Sequence, residues 1–363
     1  MGLEFIKPNI NFNFLGYRRY AYILSLVLVL AGITSLVVKG GPRYGVDFAG
    51  GMTIQLKFAK AIGPDEIKKP LDAAGLPGLA VQRLGQDKDN TFLISTSDHG
   101  EPLEQVRVKV ASSLKASLGE GAFEVQRIEV VGPKAGADLR VGALNAIFYA
   151  ILLIAIYISG RFEQRWFAAA AMAGGLAVGM WGLRALGLSM AYLIVAAILI
   201  TLVLCWVLKL KYALGALVAD IHDIVITIGV FSIFDLEFDL TIVAALLTIL
   251  GYSLNDTIIV YDRIRERLHQ NKGESFEKTI NDAINQTLSR TMLTSLITLF
   301  TVAALYFFGG SVLKDFALAM IIGIIAGTYS SVFMASPILV DLGSGLGSLQ
   351  GDAAAQPAQD QKA

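Results

Sequence analysis

The chain has 363 residues, of which 55% are hydrophobic and only 17% charged, with a mean hydropathy of +0.60. That balance excludes an ordinary soluble domain of this length. Lys+Arg and Asp+Glu stand at 30 each, so no charge excess points to nucleic acid. Cys205 is the single cysteine, and His99, His222 and His269 are scattered, so neither a disulfide, a metal site nor a cofactor is expected.

In chain order, residues 1–19 carry Lys7, Arg18 and Arg19, and the uncharged run 20–38 follows. That run is long enough to span a bilayer and reads as a retained anchor rather than a cleaved signal. Residues 39–140 form the one sizeable polar block. Within it, Met52–Phe58 alternates apolar and polar residues as a strand does, and Pro64–Ala74 suits a helix. Leu79–Leu84 and Thr91–Thr96 flank a polar turn, Glu101–Leu118 is a helix closed by Gly119, and Phe123–Val131 is a last strand. The order β-α-β-β-α-β predicts a ferredoxin-like α+β domain.

Residues 141–339 predict a helical membrane domain. Its spans are Val141–Ser159, Phe167–Leu186, Tyr192–Leu208, Ala213–Ile233, Leu240–Val260, Met292–Phe308 and Phe316–Leu339, which with the first makes eight. Alternate joints are basic (Arg161, Arg165; Lys209, Lys211; Arg263 to Arg290), and the joint Asp235–Asp239 is acidic. The positive-inside rule puts both termini in the cytoplasm and residues 39–140 outside. Residues 340–363 read as a disordered tail. Ile194–Leu199 matches Ile242–Leu247, so the hairpin 167–208 reads either as a degenerate copy of Ala213–Val260 or as chance likeness between apolar helices; Leu208 stands where the later hairpin has Asp256. Arg184 is placed near the outer end of its helix.

A charge inside a span costs from about 2.5 kcal/mol upward, so it needs a reason. Asp220 and Asp223, three apart, share a face of their helix, and His222 is expected to point elsewhere. The group reads as a proton or ion site, or as plain helix–helix hydrogen bonding. In Gly251–Thr257, the residues Ser253, Asn255, Asp256 and Thr257 form a polar cluster, and a carboxyl at Asp256 either holds and releases a proton or sits in a fixed ion pair. Arg290 begins the next span at a depth compatible with pairing to Asp256, or snorkels to the headgroups. Thr291 and Thr294 are spaced for bonding across a helix interface. Gly45, Asp47, Gly50 and Gly51 form a glycine-rich turn beyond the first span. No phosphate-binding loop is present, so any work is driven by a partner or an ion gradient.

Together, Tyr44–Gly51, Val131-Gly-Pro133, Arg161-Phe-Glu163, Ile221-His-Asp223, Gly251–Glu266 and Arg290–Ser295 resemble the SecF family of bacterial protein-export subunits. The resemblance implies a non-enzymatic subunit in the bacterial inner membrane. It implies that the subunit works with SecD, the SecYEG channel and SecA, and uses the proton gradient to draw unfolded secreted polypeptides outward. It places the family's proton-path pair at Asp256 and Arg290, extended by His222, Asp223, Asn255, Thr257 and Thr294. Members of the family have six spans, so the hairpin 167–208 reads as an insertion. An exporter of the resistance-nodulation-division type is the alternative, weakened by the small outer block.

Overall fold

A computed structural model describes residues 10–76, 78–84, 90–97, 103–185, 190–270 and 273–343. Residues 344–363 of the expected disordered tail, most of the turn at 86–90, Lys272 and the Arg184 side chain lie outside the described residues, while residues 340–343 of that tail are the end of a helix because Leu339 and Val340 pack into the core.

The polar block holds strands β1 (Gly51–Phe58), β2 (Ala80–Leu84), β3 (Thr91–Ser97) and β4 (Phe123–Val131). They form one antiparallel sheet in the order β2-β3-β1-β4, with Ile54 opposite both Ile94 and Ile128. Helix α1 (Arg18–Val38) and the short α2 (Val46–Ala49) precede the sheet; α3 (Pro64–Ala73) follows β1 and α4 (Leu103–Leu118) follows β3. The alternation in β1 puts Met52, Ile54, Leu56 and Phe58 inward, against Ile67 and Leu71 of α3 and Val110 and Leu114 of α4. Pro64 opens α3, and the Glu66 carboxylate accepts the Gly63 amide at 3.3 Å, so the first turn of α3 is satisfied locally.

The membrane part follows as α5 (Pro133–Glu163), α6 (Trp166–Ala185), α7 (Met190–Val207), α8 (Lys211–Ile233), α9 (Leu240–Gln270), α10 (Phe276–Phe308), α11 (Gly310–Ser330), a π-helical turn (Ser331–Ala335) and α12 (Ser336–Gly343). Among the described residues seven helices are long and apolar enough to cross a membrane, and α7 supplies a shorter apolar stretch, Tyr192–Val207. At 1.5 Å per residue the 18 residues of α7 reach about 27 Å, close to the hydrocarbon thickness.

Three helices are longer than the hydropathy runs suggest. Helix α5 starts at Pro133, because Gly132-Pro133 is a ready-made helix start, so residues 133–140 are helix rather than part of the outer block. Helices α9 and α10 run on through the basic joint. Arg267 meets Asp282 at 3.0 Å and Arg263 meets Gln286 at 2.6 Å, which ties the two extensions together beyond the apolar span.

Helix α8 is the most enclosed candidate span, with 67% of its apolar window buried against 17% for α1, α6 and α10. It packs on α1, α5, α9 and α11. The hairpin α6–α7 lies against the outside of α5, where Phe148, Leu176, Ile194 and Ala197 form a small separate core.

Candidate functional site

The enclosure of α8 dictates what its polar residues must do. Asp223 and His222 are buried, so each needs partners from other helices. Asp223 Oδ2 accepts from Ser253 Oγ of α9 at 2.6 Å and from Ser330 Oγ of α11 at 2.9 Å. Its Oδ1 lies 2.9 Å from His222 Nδ1. The His222 ring therefore turns back onto Asp223, whereas helical spacing alone sends it to another face.

The other imidazole nitrogen, Nε2, lies 3.1 Å from Ser25 Oγ of α1. Tyr329 must donate its hydroxyl to the carbonyl of Ala21, at 2.8 Å, and so accepts from Ser25 at 3.2 Å. Ser25 has only one hydrogen, so it accepts from His222 Nε2–H. The remaining contact, Nδ1 to Oδ1, then holds one proton between a neutral imidazole with a protonated Asp223 and an imidazolium with a carboxylate. A single proton shared across 2.9 Å can move without any large displacement.

Asp256 is held differently. It is 1% exposed, yet among the described residues its one side-chain partner is Ser295 Oγ of α10, at a long 3.3 Å. Ser295 in turn accepts from Thr328 of α11 at 2.7 Å. Thr257 meets Ser331 at 3.0 Å. The two arms are linked through backbone neighbours: Ser253 and Asp256 lie on one face of α9, and Thr328, Ser330 and Ser331 follow one another on α11 and the π-helical turn.

The other expected path residues stand apart. No ion pair joins Arg290 to Asp256 among the described residues; Arg290 is exposed on α10. Asn255 is exposed on α9, about 100° around the helix from Asp256. Thr294 bonds back to the carbonyls of Arg290 and Thr291 on its own helix rather than across an interface. In exchange the structure adds Ser25, Tyr329 and Ser330. The run Thr328-Tyr-Ser-Ser331 was a usable signal, since four successive polar residues interrupt an otherwise apolar span. A π-helical turn begins at its end, and Pro337, which lacks an N–H, follows within two residues of that turn.

At the outer-domain end, the glycine turn is clamped to the α8–α9 joint. Gly45 N donates to Phe238 O at 3.0 Å and Phe238 N to Arg43 O at 2.7 Å. Phe48 stacks on Phe238 with ring centroids 6.0 Å apart. Asp47 accepts the Leu240 amide at 3.2 Å and Asp239 the Ile242 amide at 3.0 Å, so two carboxylates cap the start of α9. Gly50 has φ +78°, and a Cβ there would lie 3.0 Å from Pro133 Cα, so the turn seats directly on the start of α5.

Arg43 reaches Asp235 and Glu237 at 3.3 Å. Burial pushes the Glu237 and Asp239 carboxyls above the usual range, Glu237 in spite of Arg43. A carboxyl raised in the fold is favoured protonated. Its contribution is full below the ordinary carboxylate range and is lost as pH rises through the raised value. The clamp should loosen as pH rises above the ordinary carboxylate range, and the melting temperature of Glu237→Gln should fall less over that rise than wild type. Equal slopes in a thermal scan would contradict this.

A family model described as protein export membrane protein SecD/SecF, C-terminal, matches residues 110–199 and 179–345, and one for the SecD/SecF GG motif matches residues 34–62. The first two matches overlap at residues 179–199, inside the α6–α7 hairpin. Several similar curated proteins are named protein translocase subunit SecF. That of Calditerrivibrio nitroreducens is 34% identical over 339 residues, covering 93% of this chain and 96% of its own. That of Desulfurispirillum indicum is 37% identical over 333 residues, 90% of each chain. That of Vibrio alginolyticus is 36% identical over 343 residues, 94% of this chain and 92% of its own. Among solved structures, SecDF, a translocon-associated membrane protein from Thermus, superposes with a TM-score of 0.65 at 29% identity over 94% of this chain. SecDF in a super-membrane-facing form gives 0.59 at 28% identity over 96%. This chain spans 39% and 41% of those two longer chains.

Proposed function

Because the chain belongs to the SecF family of protein translocase subunits, we propose that it promotes export of unfolded polypeptides across the bacterial cytoplasmic membrane by coupling their movement to proton flow. The observation that carries this reading is the pair of buried carboxyls on neighbouring helices. Asp223 shares a proton with His222, and Asp256 is enclosed with one long hydrogen bond. A carboxylate so poorly solvated is unstable as a permanent charge, which suits a group that cycles.

The partner is a SecD-type subunit. Asn255 and Arg290 face outward at membrane depth, where lipid would leave polar groups without partners. A second subunit seated on this side of α9 and α10 would satisfy them, and SecDF names that pairing in the solved neighbours. SecYEG and SecA act beyond it. Residues 39–132 form the periplasmic domain, of ferredoxin-like type by strand order and connection, and its β2 rests against α11. The role is transport rather than catalysis.

The reading has eight crossings with both termini inside, and the paired helix ends support it. Arg18, Glu163, Lys211, Glu277 and Asp341 gather at one end, and Lys39, Arg43 and Asp235 at the other. Cysteines placed at Lys68 and Lys278 should react from outside and inside respectively. Outside labelling at Lys278 would break the topology.

The reading is tested by replacing the chromosomal gene. Cells without it should accumulate unexported precursor, and the gene should restore export. A version lacking residues 167–208 should restore most of it, since α6–α7 packs on α5 with a small core of its own. Normal export without the gene, in cells holding no second copy, would refute the proposed function.

A further inference from the structure

Asp220 lies one turn before Asp223 on α8, and the mechanism above makes no use of it. It is 1% exposed, and its Oδ2 has no hydrogen-bond partner. The ionisable groups that act on it are Asp223 on its own helix and Tyr261 of α9; no cation from α1, α5, α9 or α11 pairs with it among the described residues. A bare carboxylate in that position has nothing to offset its lost hydration.

Toward the Arg161-Phe-Glu163 joint a file of ionisable groups continues from it. The Tyr261 hydroxyl packs against Gly215, where an added Cβ would sit 2.5 Å from that oxygen. Gly215 is between Tyr212 and Asp220 on α8. The Tyr212 and Tyr261 rings are 5.1 Å apart, centroid to centroid. Glu163 Oε1 accepts the Tyr212 amide at 2.9 Å, and Glu163 Oε2 is buried without a partner. Beside Glu163, Arg165 and Lys211 mark the membrane surface. Asp220 is nine residues past Lys211, so the file is about 14 Å long.

We infer that Asp220 is a proton-binding site, and that Tyr261, Tyr212 and Glu163 relay protons between it and the membrane face carrying Arg165 and Lys211. Each hop breaks one O–H bond as it forms another: Tyr261 accepts a proton from Asp220 and gives up its own, turning from the Ala335 carbonyl it now binds at 3.2 Å. The inference rests on the proton-driven reading for its consequence in export, but the binding of a proton at Asp220 is tested separately.

The test is isotope-edited infrared spectroscopy of the full chain in lipid nanodiscs, with labelled aspartate, alongside export measured in cells. At neutral pH a protonated-carboxyl absorption is expected, with a component that Asp220→Asn removes and Asp256→Asn leaves. Asp220→Asn should fold and melt no lower than wild type, because an amide replaces a neutral carboxyl of the same shape. Tyr261→Phe and Glu163→Gln should slow gradient-driven export on the order of tenfold or more. A protonated-carboxyl absorption unchanged by Asp220→Asn, an Asp220→Asn chain that cannot fold, or full export by both Tyr261→Phe and Glu163→Gln each overturns the inference. Normal export by Asp256→Asn defeats the proton-driven reading instead and leaves the Asp220 band unaffected.

Discussion

Asp256→Asn should fold, assemble and lose the whole gradient-dependent part of export. The side chain keeps its shape, and the amide oxygen can still accept from Ser295 Oγ, so the one hydrogen bond at 3.3 Å survives. Stability should change by no more than about 1 kcal/mol, the net worth of a single hydrogen bond. Function should change far more, because an amide cannot take up and release a proton. Export driven by nucleotide hydrolysis in the partner motor should persist, so the variant separates the two energy sources. Arg290 acts on Asp256 without touching it, so its planar fork is not what matters. Arg290→Lys should therefore retain most of the activity and Arg290→Gln little. The measurement is precursor export in inverted membrane vesicles with and without a proton gradient. Full gradient dependence in Asp256→Asn would show that the mechanism is wrong.

Asp223→Asn gives a different expectation from the same chemistry. Its amide oxygen can accept from Ser253 and Ser330 while its NH2 donates to His222 Nδ1. All partners stay satisfied, but the shared proton is frozen in one arrangement.

The sequence makes the apolar spans and the strand pattern legible because both rest on local periodicity. Met52, Ile54, Leu56 and Phe58 sit on the core side of β1 as alternation requires. It also makes legible that Asp223 and Asp256 are buried, since a charge in a span must be enclosed. What it hides is side-chain direction between adjacent residues. Neighbours on a helix diverge by about 100°, which puts His222 off the Asp223 face. A rotamer that bends the ring back defeats that rule once Ser25 and Asp223 both offer it partners. The placement of Asn255 and Arg290 is hidden for another reason: their surroundings depend on tertiary packing, and both face out of the bundle. The α9–α10 extensions are hidden because charged residues end a hydropathy run without ending a helix.

The second large effect is expected at Gly229, through the pairing of α1 with α8. Three contacts repeat at one offset of 197 residues: Ser25 with His222, Gly32 with Gly229, and Ser35 with Ser232 at 2.8 Å. A constant offset means two parallel helices in a fixed register, and the glycine pair lets the backbones touch between the two polar contacts. A Cβ on Gly229 would stand 2.7 Å from Gly32 Cα, and one on Gly32 would stand 2.8 Å from Gly229 Cα. Ordinary carbon contacts lie at about 3.5–4.0 Å, and backbone atoms cannot rotate away. Gly229→Leu must therefore separate the helices along their whole contact. Overpacking of this kind costs about 1–3 kcal/mol, whereas Ser35→Ala forfeits an interhelical hydrogen bond of about 0.6 kcal/mol. The functional loss should exceed the stability loss. Once α1 withdraws, Ser25 no longer accepts from His222 Nε2–H, and the constraint that leaves one proton between Nδ1 and Oδ1 disappears. Melting in detergent should drop clearly for Gly229→Leu and barely for Ser35→Ala. Gradient-driven export should fall to background in the first and stay near wild type in the second. A Gly229→Leu chain with unchanged melting and normal export would mean that the α1–α8 register does not hold the site.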